Sequence, residues 1–383
     1  MEVSYIYTTK CFQQLRHCVV VSNHARFGGA IYLITESVFN NYGTASFVSN
    51  EAENFAGAFF AHIHSNASFG GKVVFASNTA RFGGAMLFFE SKFNFIGSVS
   101  FEGNHADYYG GAVYADDDGN ALFGGEAVFA NNTAEYGGAI SAEDTELNFI
   151  GNVSFEENHA NTSGGAIALY GGSIIHVDGM TSFVGNEATD SGGAIYASDS
   201  SVFVGRGTLF MFNIASTGSG GGVYASNSVM SLNEAVFTKN CGVWGGGVAF
   251  FSSGSILDKG IGDAGSFSYA SILYEEDNAV PYFPADSTLD EETDGFGPSN
   301  ITGCSFDGNT ATDGGAIYTA AGYDMVVNSS FTKNFAAAQG GALLHSGVLV
   351  ALTGCIFESN MAGKDGLAVM SLGIAEEIAD LLF

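Results

Sequence analysis

The chain has 383 residues, with 40 Asp and Glu against 11 Lys and Arg, a formal net charge of −29. So acidic a surface repels phosphate backbones and anionic lipid, which argues against nucleic acid and anionic membrane surfaces as partners. Gly reaches 54 residues while Pro stays at 3, so the backbone can turn often and keep its ladder donors, and no run of about 18 apolar residues offers a transmembrane helix.

Residues 1–19 read as an incomplete first coil or a cap. They hold Lys10, Arg16, Cys11 and Cys18 without an apolar core and small-residue cleavage site, so no signal peptide is expected and the chain is expected to be part of a longer one. From residue 20 to 250 one pattern recurs every 25 to 28 residues: F-x-x-N-x-A, then after two or three residues G-G-A-[IVLM]. The clearest copies are Phe75, Asn78, Gly83 and Gly84; Phe101, Asn104, Gly110 and Gly111; Phe129, Asn132, Gly137 and Gly138; Phe155, Asn158, Gly164 and Gly165; and Phe183, Asn186, Gly192 and Gly193. Looser copies at Asn23, Asn50, Asn213 and Asn240, and later ones at Asn309, Asn334 and Asn360, bring the count to twelve.

Each copy carries three runs of three to six residues rich in Val, Ile, Phe and Tyr, bounded by Gly, Asn or Ser, as in residues 147–150 and 153–155 around Gly151 and Asn152. Such runs read as strands joined by turns. One repeat is then one three-stranded coil, and the expected fold is an all-β, right-handed parallel β-helix in which each repeat stacks on the last at roughly 4.8 Å. The repeated Phe would form an internal ladder and the Asn a column of amides bonded along the axis. Of the two glycines, one can take positive φ and the other lets two backbones approach.

Residues 251–300 interrupt the repeat with all three prolines, Pro281, Pro284 and Pro298, and a run of acids. The segment reads as a long acidic loop, with Tyr269 to Tyr274 as a further strand, and long loops on rigid scaffolds carry contacts. Glu275, Glu276, Asp277, Asp290, Glu291 and Glu292 are therefore candidate binding residues. The repeat resumes over 301–370. Residues 371–383, with Ile374, Ile378, Leu381 and Leu382 spaced among acids, read as an amphipathic capping helix.

Paired F-x-x-N and G-G-A-[ILV] motifs resemble the repeat of the chlamydial polymorphic outer membrane proteins, over about Val20 to Val369. The resemblance implies a β-helical passenger displayed on a cell surface or secreted, with an adhesive role towards a glycan or protein ligand. The long membrane β-barrel that follows the passenger in that family is not expected within these residues, and Phe383 reads as a coincidental terminal Phe.

Acids recur six to eight residues after the first motif glycine, at Glu36, Glu90, Asp116, Asp117, Asp118, Glu143, Asp144 and Asp199. Counting from Gly110 and Gly137 stacks Asp116 over Glu143 and Asp117 over Asp144. Like charges that close would be relieved by Ca²⁺, which makes Asp116, Asp117, Asp118, Glu143 and Asp144 candidate metal ligands; the alternative is a solvated turn. Carboxylates on adjacent coils also fit a polysaccharide-active β-helical hydrolase, lyase or epimerase, the rival to a non-catalytic module, with Tyr108, Tyr109, Tyr114, Tyr136 and Tyr196 as a sugar-stacking rim. No residue is assigned a catalytic role.

His24, His105 and His159 share a repeat position on coils too far apart for one metal, while His62 and His64 would share a strand face at i, i+2. Cys304 and Cys355 fall two coils apart with Ser329 between, too far for a disulfide; Cys11 and Cys18 could pair, and Cys241 stays free. Sequons at Asn66, Asn131, Asn152, Asn161, Asn300 and Asn328 would carry surface glycans in a secreted eukaryotic chain.

Overall fold

The computed structural model describes residues 6–9, 12–251, 299–320 and 323–383. No helix occurs among them; short strands stack in parallel into a right-handed β-helix of about 11 turns. Each turn passes through three sheets. Sheet I takes the strand after the glycine pair, such as Val113–Asp116 and Ile140–Glu143. Sheet II is bent and takes two strands per turn, such as Glu146–Phe149 and Val153–Glu156, on either side of Gly151 and Asn152. These are the three runs expected from the repeat. Sheet III is a further set formed by the residues after the motif Asn, such as His159–Ser163, and it narrows to two-residue strands from Glu187–Ala188 onward.

Pairing joins like positions on successive turns: Phe101 stands between Phe75 and Phe129. From Phe47 to Phe357 the motif rings stack at 4.6–5.0 Å between centroids with planes within 10°, the inter-strand spacing of a parallel sheet. Phe383 stacks on Phe357 at 5.4 Å, so it occupies a rung of the same column.

The asparagine column is fully bonded. Asn104 donates its backbone N–H and its Nδ2 to Asn132 Oδ1, both at 3.0 Å, and its second Nδ2 hydrogen to the Phe75 carbonyl at 3.0 Å. The same three bonds repeat at Asn132, Asn158 and Asn186. Every donor and acceptor of a buried primary amide is thereby met inside the core, where an unmet one is costly.

Asn240 makes these bonds to Asn309, 69 residues away, at 3.0 Å. The strand Ser299–Thr302 pairs with Val229–Asn233, so the two motif copies sit on consecutive turns. The candidate binding residues Glu275, Glu276, Asp277, Asp290, Glu291 and Glu292, and the strand expected at Tyr269 to Tyr274, lie outside the described residues.

The two motif glycines answer different constraints. Gly83, Gly110, Gly137, Gly164 and Gly192 take φ of 62–71°, a region that costs an L side chain. The second glycine has no room: a Cβ on Gly84, Gly111 or Gly138 would lie 2.1–2.2 Å from the carbonyl oxygen of the matching glycine on the next turn.

The C-terminal end differs from expectation. Residues 371–383 form no helix: Ile374–Ala379 is a strand paired in parallel with Val348–Thr353, and Leu382 bridges Ile356. The open edge of the last coil offers unmet backbone groups, and pairing to them outweighs the helical spacing of Ile374 and Ile378. At the other end, Ile6–Thr9 and Phe12–Val21 pair with Ile31–Ile34 and Val38–Val48, extending sheets I and II by one coil. Cys18 is a buried free thiol, and Cys11 lies outside the described residues. Cys304 and Cys355 are buried and free, with Ser329 Oγ between them accepting the Cys304 N–H at 3.1 Å.

A carboxyl group sits in the core. Asp324 is 1% exposed and both its carboxylate oxygens lack a hydrogen-bond partner among the described residues, as does the Oγ of Ser299, its partner on the preceding turn. Thr319 Oγ1, the side chain available to it, pairs with His345 Nδ1 at 2.8 Å. Burial pushes the Asp324 carboxyl up to about 7.

Candidate binding face

Two columns run along the outside of the stack. The first is acidic and lies at the corner between sheets I and II. Glu36, Glu90, Asp117, Asp118, Asp144 and Asp199 sit there with φ of 47–56°, alongside His64, Gly171, Gly172 and Asn227 at matching corners. The corner needs a left-handed residue, and Gly, Asn and Asp are the types that adopt it at least cost. Backbone geometry thus accounts for much of the acid recurrence.

The corner that follows Ala115 is one residue longer than the one that follows Ala142. Asp116 falls opposite Glu143, but four residues separate Ala115 from Asn120 where three separate Ala142 from Glu146. The Asp117 N–H donates to the Glu143 carbonyl at 3.2 Å, the ladder bond of a residue opposite Asp144, and the Asp118 N–H donates to the Asp144 carbonyl at 3.0 Å. Four of the five candidate ligands form two pairs, and Asp117 takes the left-handed corner. Asp116 and Glu143 turn towards Tyr114, whose hydroxyl donates to Asp116 Oδ2 at 3.1 Å and lies 3.4 Å from Glu143 Oε2. Asp118 and Asp144 line a shallow groove of about 290 Å³ with Lys92, Asn120 and Glu146. Among the described residues no three His, Cys, Asp or Glu side chains are placed to hold a metal ion. His62 ends its strand while His64 occupies the left-handed corner, so the pair does not share a face.

The second column is aromatic and lies across the glycine corner between sheets III and I. Tyr109, just before Gly110, stacks on Tyr114, just after it, at 5.4 Å. Tyr109 continues to Tyr136 at 5.3 Å, Tyr136 meets Tyr170 edge-on at 6.3 Å, Tyr170 meets Tyr196 at 5.6 Å, and Tyr196 stacks on Tyr224 at 5.1 Å. In the other direction Tyr109 touches Phe82, which leads to Phe55, Phe60 and Phe27. Val113 and Ala115 fill the interior, so Tyr114 between them faces outward by strand alternation. The tyrosines named from sequence, Tyr108, Tyr109, Tyr114, Tyr136 and Tyr196, all belong to this column; Tyr170 is a member that sequence reading left out.

Rings and carboxylates meet on adjacent coils. Burial raises the Tyr114 and Tyr170 hydroxyls well above the ordinary phenol value, and neighbouring acids and tyrosines add to the shift. Partial burial also raises the Asp116 carboxyl; the Tyr114 hydroxyl offsets part of this, while Glu143 and Asp117 add to it.

Residues 98–116, 126–143, 152–170, 181–198 and 303–320 match the model of the Chlamydia polymorphic membrane protein repeat. These five segments are similar to polymorphic membrane protein repeats. Each matched segment contains the sheet II strand with the ladder Phe, the motif Asn, the glycine pair and the sheet I strand, so the repeat unit is the unit that locks one coil to the next. The aromatic and acidic columns lie on the outside of these repeats, apart from the Phe and Asn ladders of the core. The chain matches no curated protein and no solved structure.

Proposed function

We propose that this chain is a non-catalytic, surface-displayed or secreted β-helical module that adheres through its outer face. The observation that carries the reading is the continuous aromatic column beside the acids Asp116 and Glu143, laid over a core whose amides and rings are committed to holding coils together. Interior residues are spent on rigidity, and recognition is left to outward rings, which supply large contact area at low entropic cost. Similarity to a repeat type named for membrane proteins supports a place at a cell surface. No helix among the described residues is long and apolar enough to cross a membrane, which leaves strand-built anchoring untouched.

The rival reading is a polysaccharide-active enzyme using Asp116 and Glu143, which share one hydroxyl on adjacent coils. Incubation with acidic and neutral oligosaccharides, scored for new reducing or unsaturated ends, separates the two. Binding without product is expected. Product formed by the natural chain and lost in Asp116→Asn or Glu143→Gln would overturn the adhesive reading in favour of the enzyme.

A further inference from the structure

The sheet III residue that follows the motif alanine changes character along the stack. In the first and third copies it is arginine, and each folds over an aromatic ring of the column: the Arg26 guanidinium lies 5.1 Å from the centre of Phe27, and that of Arg81 lies 5.8 Å from Phe82 and 5.4 Å from Tyr108. In the next two copies the position holds Asp107 and Glu135, while the rings Tyr109 and Tyr136 stack at 5.3 Å. Here no guanidinium of the chain lies over the rings among the described residues, and the column is bordered by acid on both sides, Asp107 and Glu135 from sheet III and Asp116 and Glu143 from sheet I.

We infer that this stretch, Tyr109 and Tyr136 between the acids of the two sheets, is a docking site for an arginine-bearing peptide segment of a basic partner. The inference rests on the adhesive reading and gives it a ligand chemistry. The chain's own Arg81 shows that the column receives a guanidinium over its ring faces, and the acids supply a charge complement. Existing contacts leave these carboxylates capacity: Asp107 Oδ1 lies 3.6 Å from His105 Nε2, Glu135 Oε1 accepts one bond from Thr162 Oγ1, and Asp116 and Glu143 share the Tyr114 hydroxyl. Each carboxylate can accept further donors, and a guanidinium offers five in a planar fork that suits stacking as well as bidentate pairing. An ammonium lacks that plane, so arginine is favoured over lysine.

The test uses the full chain and a fluorescein-labelled nine-residue oligoarginine, with oligolysine of equal length for comparison, followed by anisotropy at physiological salt. Oligoarginine is expected to bind saturably and more tightly than oligolysine. Asp107→Asn with Glu135→Gln should weaken it about tenfold, and Tyr109→Leu with Tyr136→Leu by a similar factor. Glu102→Gln with Glu156→Gln, an equal charge change on exposed sheet II positions, should alter it less than about twofold. Equal losses in the two charge variants would reduce the effect to general attraction by an acidic protein and overturn the inference. Equal affinity for oligolysine would remove the rings from it and overturn it too. Absence of oligoarginine binding in a chain that still holds cells when coated on beads would sink this inference and spare the adhesive reading.

Discussion

Replacing Asn132 with alanine should cost far more than its size suggests. The side chain makes four hydrogen bonds: its Oδ1 accepts the Asn104 N–H and Nδ2, and its Nδ2 donates to the Phe101 carbonyl and to Asn158 Oδ1, all at 2.9–3.0 Å. Alanine leaves the two Asn104 donors and the Phe101 carbonyl without these partners at a site that is 0% exposed. At about 1 kcal/mol or more for each buried unmet group, the loss is about 3 kcal/mol or greater. Asn360 makes the matching bonds at a partly exposed end of the column, where water can replace them, so Asn360→Ala should cost about 1 kcal/mol. Because a solenoid can open locally, native-state hydrogen exchange is the better assay, with the Asn104 amide as the reporter. That amide should lose most of its protection in Asn132→Ala while amides several turns away keep theirs. A loss under about 1 kcal/mol with unchanged Asn104 exchange would refute the claim that the amide column locks the coils.

The glycine pair predicts an asymmetry readable by thermal melting. Gly110→Ala meets a positive φ and should cost about 1–2 kcal/mol, whereas Gly111→Ala drives a Cβ to 2.1 Å from the Gly138 carbonyl oxygen and should prevent adjacent coils from closing. Phe155→Ala empties a rung between Phe129 and Phe183 and should cost about 3–5 kcal/mol in urea unfolding. Asp324 makes stability depend on pH: its folded carboxyl is raised to about 7, so the folded state keeps a proton that the unfolded chain has released. The resulting stability is full below the ordinary carboxylate range, falls as pH rises towards about 7, and is flat beyond, a span of roughly 4 kcal/mol at most. Melting temperatures of the natural chain and Asp324→Asn should therefore diverge between pH 5 and pH 8, with the natural chain showing the steeper decline; parallel curves would refute the assignment.

The features most legible in the sequence were those with one chemical solution. A buried amide column requires Asn, a ring column requires Phe, and a corner that meets the next backbone at van der Waals contact requires Gly, so Asn78, Phe101 and Gly111 announced themselves by recurrence. Sheet III did not, because its alternating pattern of small and polar residues, as in His159–Ser163, lacks the β-branched signature and takes its stability from stacking alone. The capping helix expected at 371–383 failed because an open parallel edge, a property of the fold and not of the segment, captures Ile374–Ala379. The aromatic face was visible only as scattered tyrosines: Tyr109 and Tyr114 lie on different strands of one turn, and only the glycine corner brings them to 5.4 Å. The single additional corner residue between Ala115 and Asn120 was not revealed by spacing within the motif. Nothing in the sequence marked Asp324 as buried, since its partner Ser299 is brought to it by stacking.

The adhesive reading is tested most directly by coating beads with the full chain and counting their attachment to cultured cells in the presence of rising soluble protein. Saturable attachment that soluble chain competes away, and that Tyr109→Leu with Tyr136→Leu reduces without lowering the melting temperature, is the predicted result. Attachment no greater than that of albumin-coated beads, from a preparation that melts cooperatively, would contradict it.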